Sequence, residues 1–217
     1  MIWGVLQFPG SCDERDALNA CTIASGGFGG HAKLVWHEET DLSGFDGIVV
    51  PGGFSYGDYL RAGAIARFAP AMGAVADFAA AGGPVLGICN GFQVLCESGL
   101  LPGALLTNES TRFICRQGDL IVQESDSMFL SGYEAGERIS IPFKHQSGRF
   151  FAPPEMLEQI RYAEGQNPNG SLNDIAGITN EAGNVLGLMP HPEHAVEGFA
   201  GSTDGLRLFQ APAGAAA

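Results

Sequence analysis

A cysteine flanked by glycines has the spacing of a reactive residue. The segment Gly87-Ile88-Cys89-Asn90-Gly91 has the form G-x-C-x-G, and it lies between a predicted strand and a predicted helix. This is the context of a nucleophile elbow, a sharp turn that lifts a side chain above the sheet. The N-terminus of the following helix favours the thiolate form. We therefore predict that Cys89 is a nucleophile, although a buried structural cysteine is the common alternative for this residue type.

A histidine between two prolines could supply the base that a thiol nucleophile needs. His191 follows an apolar run and stands between Pro190 and Pro192. The prolines predict an extended segment, in which residues two apart point to the same side. Glu193 would then accept a hydrogen bond from one ring nitrogen of His191 and leave the other to face Cys89. These three residues would form a nucleophile, a base and an orienting acid.

Attack of a thiol on a carbonyl also requires donors that stabilise the oxyanion. The turn Pro51-Gly52-Gly53 ends another apolar run, and its backbone can approach a substrate closely because glycine has no side chain. We predict that the N–H groups of Gly53 and Asn90 are these donors. Taken alone, the glycine pair fits an ordinary turn equally well.

Two other functions stay open on these residues alone. A thiol acyl hydrolase on an α/β-hydrolase scaffold would place its acid before the histidine in the chain, and Asp174 is the candidate for that acid. A non-catalytic module would use Cys89 as an oxidation sensor. Glu193 makes Asp174 unnecessary, and the pair of His191 and Glu193 argues against a mere sensor.

Apolar runs that end in glycine-rich turns alternate with helical patterns along the chain, which predicts an α/β fold. We expect an open, mostly parallel sheet with helices on both faces. The predicted strands cover residues 2–8, 33–36, 47–50, 84–88, 175–178 and 184–189, and the predicted helices cover 13–25, 63–81, 91–98 and 203–209. Short alternating strands between 100 and 149 predict a small antiparallel extension at one edge. Ligand sites in such sheets lie at the carboxyl ends of the strands, where Gly53, Cys89 and His191 stand.

Composition limits the compartment and the partners. The chain has 217 residues, and its 24 acidic against 11 basic residues disfavour binding to nucleic acid or to anionic membranes. It contains 5 cysteines with no C-x-x-C spacing, so a metal site of that type is not expected. The first residues lack the pattern of a secretion signal. We expect a reduced, cytoplasmic protein with one domain over residues 1–217 and a frayed tail at 211–217.

Longer stretches around these residues resemble the class I, or triad, glutamine amidotransferases. The match is most specific to the family of glutaminase subunits of phosphoribosylformylglycinamidine synthase. It is carried by VPGGFSYGDYLRAGAIA at 50–66, PVLGICNGFQ at 84–93, GLLPGAL at 99–105, NPNGS at 167–171 and GSTDG at 201–205. The resemblance covers essentially the whole chain and implies the flavodoxin-like fold of class I glutaminases.

The resemblance implies a reaction and partners as well as a fold. Cys89 would attack the side-chain amide of glutamine and form a thioester, with His191 and Glu193 moving the protons and Gly52 and Gln93 contacting the substrate. The ammonia would pass to a synthetase subunit that uses ATP and Mg²⁺, accompanied by a small accessory subunit; this chain itself would hold no cofactor or metal. A glutaminase that serves another acceptor is excluded by the resemblance alone.

Several segments depart from the usual pattern of this family. Cys12 and Asp13 directly follow Pro9-Gly10-Ser11, where the family has an asparagine before its cysteine. His194 stands where the family has an arginine, and residues 142–148 differ from an Ala-His-Gly-Glu-Gly-like loop. Residues 154–166 look shortened. We expect these departures to lie outside the triad and to affect the docking of the partner or access to glutamine.

Overall fold

The structure is a computed structural model that describes residues 1–26, 31–152 and 158–215. Its strands and helices, in chain order, are β1 (Trp3–Gln7), α1 (Glu14–Ala24), β2 (Ala32–Trp36), β3 (Gly47–Val50), α2 (Pro70–Ala80), β4 (Val85–Ile88), α3 (Asn90–Glu97), β5 (Ala104–Leu106), β6 (Ile114–Val122), β7 (Arg138–His145), β8 (Arg149–Phe151), β9 (Glu158–Tyr162), β10 (Ile175–Thr179), β11 (Val185–Leu188) and α4 (Leu206–Ala215).

A nine-stranded sheet in the order β2-β1-β3-β4-β11-β10-β9-β6-β7 organises the molecule. The strands from β2 to β11 pair in parallel, whereas β10, β9, β6 and β7 pair antiparallel. The strands β3, β4 and β11 are buried along their whole length, as expected where both faces of a sheet are covered. The parallel sheet and its antiparallel edge extension are both confirmed, and a separate pair, β5 with β8, adds a small antiparallel sheet.

The sheet has a topological switch point at β1: β2 pairs with one side of β1, and the next strand in the chain, β3, pairs with the other side. Since crossovers between parallel strands are right-handed, the helices before and after this switch point cover opposite faces of the sheet. Helices α1 and α4 pack together on one face, near β1 and β2, and α3 packs against β3, β4 and β11. The switch point places a crevice at the carboxyl ends of β1 and β3, next to the end of β4.

The long helix predicted over 63–81 is wrong in its first half. A short 3₁₀ turn covers Ala66–Phe68, and α2 begins only at Pro70. Ala69 adopts an extended backbone with ψ 140°, because the ring of a following proline disfavours the helical conformation. Phe68, which lies in this first half, is exposed.

Smaller differences concern the packing and ends of other elements. The buried face of α1 consists of Ala17, Ala20 and Cys21, whereas the larger side chains of Leu18 and Ile23 are half-buried at its margin. The last helix begins at Leu206 rather than 203 and continues to Ala215, so most of the predicted frayed tail is helical; residues 216–217 lie outside the described residues. The helix continues through Pro212 and Gly214, two residues that disfavour a helix interior, so helix propensity does not account for the extension.

Two remaining points concern membrane-spanning helices and the region at 154–166. Within the described ranges, none of the helices combines the length and apolar character that crossing a membrane requires. The shortened region predicted at 154–166 falls partly on 153–157, which lie outside the described residues; its second part forms β9, which pairs with β10 and β6.

Candidate active site

Cys89 lies on a strained turn between β4 and α3. Its backbone has φ 50° and ψ −104°, a conformation that residues other than glycine rarely adopt and that costs about 1–3 kcal/mol. The N–H of Cys89 donates to the carbonyl oxygen of Leu188 in β11 at 2.8 Å. The geometry of the predicted elbow is therefore present, and the neighbouring strand holds the strained residue in place.

The two glycines around Cys89 are required for packing. A Cβ on Gly91 would lie 1.8 Å from the carbonyl oxygen of Val50, and a Cβ on Gly87 would lie 2.4 Å from Leu95 Cδ1. Helix α3 can start directly beneath β3 only because Gly91 has no side chain. The G-x-C-x-G spacing thus reflects the close approach of α3 to the sheet.

His191 and Glu193 form a buried hydrogen-bonded pair after β11. Nδ1 of His191 lies 2.6 Å from Oε1 of Glu193, and their side chains are 1% and 0% exposed. The N–H of His191 donates to the carbonyl oxygen of Pro142 at 2.7 Å, which fixes the histidine against β7. The predicted pairing is present, and it orients the imidazole through a single nitrogen.

The backbone that creates this pair differs from the extended segment predicted for it. Residues Pro192–His194 form a 3₁₀ turn, in which the N–H of Ala195 donates to Pro192 at 2.9 Å. Pro192 occupies the first position of the turn, where a proline is tolerated because its missing N–H would have no partner. The two prolines therefore delay the helical turn until after His191 instead of excluding it.

The second ring nitrogen of His191, Nε2, lies on the side of the ring near Cys89. Nε2 is buried and has no hydrogen-bond partner of ordinary geometry in the described part of the chain. Burial acts to lower the pKa of His191, but the charges of Glu193 and of the Cys89 thiolate outweigh it and raise this pKa well above its usual value. The ring can therefore carry a proton beside the thiol, as a base and proton donor must.

Gly53 and Asn90, whose N–H groups the sequence predicts to be oxyanion donors, lie at the turns after β3 and β4. Gly53 forms an isolated antiparallel β-bridge with Ser11. Two backbone hydrogen bonds flank this bridge: the N–H of Cys12 donates to the carbonyl oxygen of Gly52 at 3.2 Å, and the N–H of Phe54 donates to that of Gly10 at 2.9 Å. This pattern leaves the N–H of Gly53 on the other side of its strand. Asn90 opens α3, so its N–H belongs to the unpaired first turn of a helix. Their role as donors stays a prediction.

A cavity of about 380 Å³ connects these groups, a size suited to a small polar molecule. Its polar lining is drawn from five separate parts of the chain. The residues that line it are Cys12, Asp13, Gly53, Phe54, Asp58, Cys89, Gln93, Phe113, Lys144, His145, Gln146, Ser147 and His191. The structure thus brings the predicted nucleophile, base and one oxyanion donor to a single cavity.

The two predicted substrate contacts differ in position. Gln93 lines the cavity, where its Nε2 donates to the carbonyl oxygen of Ser147 and its Oε1 accepts from Asn90 Nδ2 at 2.9 Å. Gly52 lies behind the cavity, and a Cβ there would lie 2.5 Å from Asp13 Oδ2 and 2.9 Å from His191 Cε1. A contact of Gly52 with substrate stays a prediction, but its steric reason to be glycine is clear.

Asp174, the acid of the alternative triad, does not reach His191. Its Oδ1 accepts a hydrogen bond from Asn167 Nδ2 at 2.9 Å, and Nδ1 of His191 is already committed to Glu193. Two other cysteines, Cys21 and Cys96, are largely shielded from solvent and do not line the cavity. Burial raises the pKa of the Cys21 and Cys96 thiols well above the usual range, which keeps them protonated and unreactive.

Asp13, Lys144 and His145 are among the cavity residues that were not predicted to belong to the site. Asp13 and Lys144 form an ion pair at 2.6 Å, and His145 accepts a hydrogen bond from Asn169 Nδ2 at 3.0 Å through Nε2. Burial lowers the pKa of His145 to about 3, with a further contribution from His191, so its ring is neutral. These residues lie in segments that depart from the family pattern, and that departure was the available signal.

Metal binding is the other function that these side chains could have. In the described ranges, the ligand atoms of Asp13, His191, Glu193 and His194 lie within 4.8 Å of one another. The ammonium of Lys144 occupies Asp13 Oδ1, and Glu193 is bonded to His191. Those contacts favour an ionic network over a metal centre.

Comparisons with known proteins identify the family of this chain. The family model of the CobB/CobQ-like glutamine amidotransferase domain matches residues 3–207. The chain is 56% identical over 213 residues to phosphoribosylformylglycinamidine synthase subunit PurQ of Synechococcus elongatus, covering 95% of each. It is 54% identical over 216 residues to the PurQ subunit of Streptomyces coelicolor, covering 95% of this chain and 93% of the relative.

A solved structure extends the agreement to three dimensions. The structure of PurLQS from Thermotoga maritima contains a chain that superposes with a TM-score of 0.92 at 43% sequence identity, covering 99% of this chain and 98% of that one. Sequence and fold therefore agree over nearly the full length. The chain belongs to the glutamine amidotransferase family of PurQ subunits of phosphoribosylformylglycinamidine synthase.

Proposed function

We propose that Cys89 is the nucleophile of a glutaminase reaction and that His191 and Glu193 serve it. The thiolate of Cys89 attacks the side-chain amide carbon of glutamine, and the carbonyl electrons move to the oxygen. The N–H groups of Gly53 and Asn90 stabilise this oxyanion. The tetrahedral intermediate then expels its nitrogen, which requires a proton.

His191 supplies that proton from Nε2, and ammonia leaves as the glutamyl thioester forms on Cys89. Water then attacks the thioester carbonyl while His191 takes one of its protons. Collapse of the second intermediate releases glutamate and regenerates the thiol. Glu193 accepts from Nδ1 throughout, so that Nε2 stays directed at the reacting atoms.

The observation that carries this proposal is the meeting of a strained cysteine and a buried acid-base pair at one cavity. Cys89 has a positive φ of 50°, and His191 is bonded to Glu193 at 2.6 Å. A structural cysteine has no reason to occupy a strained turn opposite a buried imidazole. Cleavage of an amide through a covalent thioester requires this set of groups.

The fate of the ammonia follows from the family. We infer that this chain passes ammonia to a synthetase subunit, which uses ATP and Mg²⁺ to convert formylglycinamide ribonucleotide into formylglycinamidine ribonucleotide. The Thermotoga relative belongs to an assembly named PurLQS, which supports both a synthetase partner and a small accessory subunit.

The free state of all five cysteines supports a cytoplasmic location, where thiols stay reduced.

Replacing the nucleophile in the assembled complex tests the proposal. In a complex of the full chain with its synthetase subunit, C89A should abolish amidine formation from glutamine and leave formation from added ammonia intact. C115A is the control, because Cys115 is exposed in β6 and does not line the cavity. Equal loss of both activities in C89A would show that Cys89 maintains the complex rather than cleaving glutamine.

The isolated chain should turn over glutamine slowly, because members of this family couple hydrolysis to their synthetase. Addition of the synthetase subunit should raise the rate of glutamate release. Rapid hydrolysis by the chain alone, unchanged by the partner, would contradict this part of the proposal.

A further inference from the structure

Three residues from separate segments meet beside the ring of His191. Asp13 precedes α1, Lys144 belongs to β7, and His194 follows the catalytic pair. All three lie in segments that depart from the family pattern. Lys144 Nζ donates to Asp13 Oδ1 at 2.6 Å, and His194 Nε2 lies 3.5 Å from the same oxygen. The departures were expected to lie outside the triad, but the structure places them around its base.

The carboxylate of Asp13 lies within reach of the catalytic imidazole. Asp13 Oδ2 is 3.7 Å from His191 Nδ1, and the Asp13 side chain is only 6% exposed. Gly52 makes this approach possible, because a Cβ at that position would lie 2.5 Å from Oδ2. Burial acts to raise the pKa of Asp13, but His194, His191 and Lys144 outweigh it, so this pKa is lowered and the group is ionised.

His191 consequently has two carboxylates near one nitrogen. Nδ1 of the ring carries one proton and can direct it to Glu193 at 2.6 Å or toward Asp13 at 3.7 Å. Donation to Asp13 would rotate the ring away from Glu193 and move Nε2 relative to Cys89. Lys144 opposes this donation, because its ammonium binds the other oxygen, Oδ1, and thereby fixes the carboxylate and offsets its charge.

We propose that Asp13 and Lys144 act as a positioning ion pair for His191, in which Lys144 holds the Asp13 carboxylate so that Nδ1 donates to Glu193 alone. This inference rests on the proposed role of His191 as the base. It adds two positioning residues to the site. Neither side chain forms a bond to the reacting atoms; both act through the charge and orientation of the imidazole.

The charges around His191 explain why the negative charge of Asp13 must be balanced by the positive charge of Lys144. Glu193 and a Cys89 thiolate already favour the protonated ring. Asp13 alone would add a third negative charge, which Lys144 neutralises. The titratable and charged groups that face the ring come from its own turn, the start of α1, β7 and the elbow: Glu193, His194, Asp13, Lys144, His145 and Cys89.

Titration of His191 by NMR in the full chain labelled with ¹⁵N-histidine tests the pair. D13N removes a negative charge and leaves Lys144 unpaired, so the midpoint of His191 should fall by about one pH unit or more. K144M leaves Asp13 unpaired, so the midpoint should rise. D13N/K144M should lie between the two single variants, and K144R should restore the wild-type value. The pH profile of glutamine hydrolysis by the complex should shift in the same direction.

D119N is the matched control, because it neutralises the Asp of another ion pair, Asp119 with Arg138 at 2.9 Å, outside the cavity. It should leave the titration of His191 unchanged. If D13N does not fold, K144M and K144R decide the question by themselves. The proposal is overturned if the variants titrate like the wild type while the wild type hydrolyses glutamine. A wild-type complex without that activity would instead overturn the proposed function, since the titration does not depend on turnover.

Discussion

Nδ1 of His191 lies 2.6 Å from Oε1 of Glu193, and neither side chain is accessible to solvent beyond 1%. The carboxylate is thus hydrogen-bonded directly to the imidazole, where it orients the ring and helps to raise its pKa. A buried imidazolium without such a partner would lose its proton because burial disfavours the charged form. The pair therefore acts as one unit.

Replacing Glu193 by glutamine should separate orientation from charge. E193Q keeps a hydrogen-bond acceptor beside Nδ1 but removes the negative charge that raises the pKa of His191. Glutamine-dependent synthesis by the complex should fall roughly 100-fold or more in kcat, while ammonia-dependent synthesis should be unchanged. E137Q is the control, because Glu137 pairs with Arg207 away from the cavity. Wild-type kcat in E193Q would show that the charge has no part in the reaction.

Stability should depend on pH through His145. The pKa of its ring is lowered to about 3 in the folded chain, against about 6.5 for an unperturbed histidine. As pH falls below 6.5, the unfolded chain binds a proton that the folded chain cannot accept, so stability is lost. Between pH 6.5 and pH 5 this amounts to about 2 kcal/mol.

Urea unfolding at pH 7 and pH 5 measures this effect when the wild type is compared with H145Q. The free energy of unfolding should fall more steeply with acidification in the wild type than in H145Q, because the other titrating groups contribute equally to both. H31Q is the control, since His31 precedes β2 and does not line the cavity. A difference between wild type and H145Q that is the same at both pH values would mean that His145 titrates normally in the folded state.

Glycine substitutions in two helices should have opposite effects on stability. In G91A the new Cβ would lie 1.8 Å from the carbonyl oxygen of Val50, so α3 must shift from the sheet at a cost of about 3 kcal/mol or more. Gly73 lies in α2, and a Cβ added there would meet no described atom within 4 Å beyond its own helix. G73A should therefore stabilise the chain by about 0.5–1 kcal/mol. Thermal unfolding of both variants checks the contrast, which fails if G91A unfolds at the wild-type temperature.

The sequence was most informative where geometry is local. The elbow could be predicted because Gly87, Cys89 and Gly91 lie within five residues, and each glycine has a steric reason that the spacing itself reveals. The pair of His191 and Glu193 was predicted for a similar reason. The helix predicted over 63–81 is wrong in its first half because Pro70 sets an extended backbone at Ala69, and this local effect overrides the alanine-rich periodicity.

Contacts between distant segments could not be derived in the same way. Asp13 and Lys144 are separated by 131 positions in the chain, and no periodicity relates them. They meet although β10, β9 and β6 separate β7 from β11 in the sheet, because the N–H of His191 donates to Pro142 and holds β7 against the turn that follows β11. The nucleophile and its base were therefore predictable, whereas the charges that surround the base required the structure.

Covalent labelling tests the central claim most directly. The full chain in its complex is treated with a diazoketone analogue of glutamine, digested and analysed by mass spectrometry. We expect one adduct, on Cys89 among the five cysteines, which excess glutamine prevents from forming. Labelling of another cysteine at an equal rate, or labelling of Cys89 that glutamine does not slow, would contradict the assignment of Cys89 as the nucleophile.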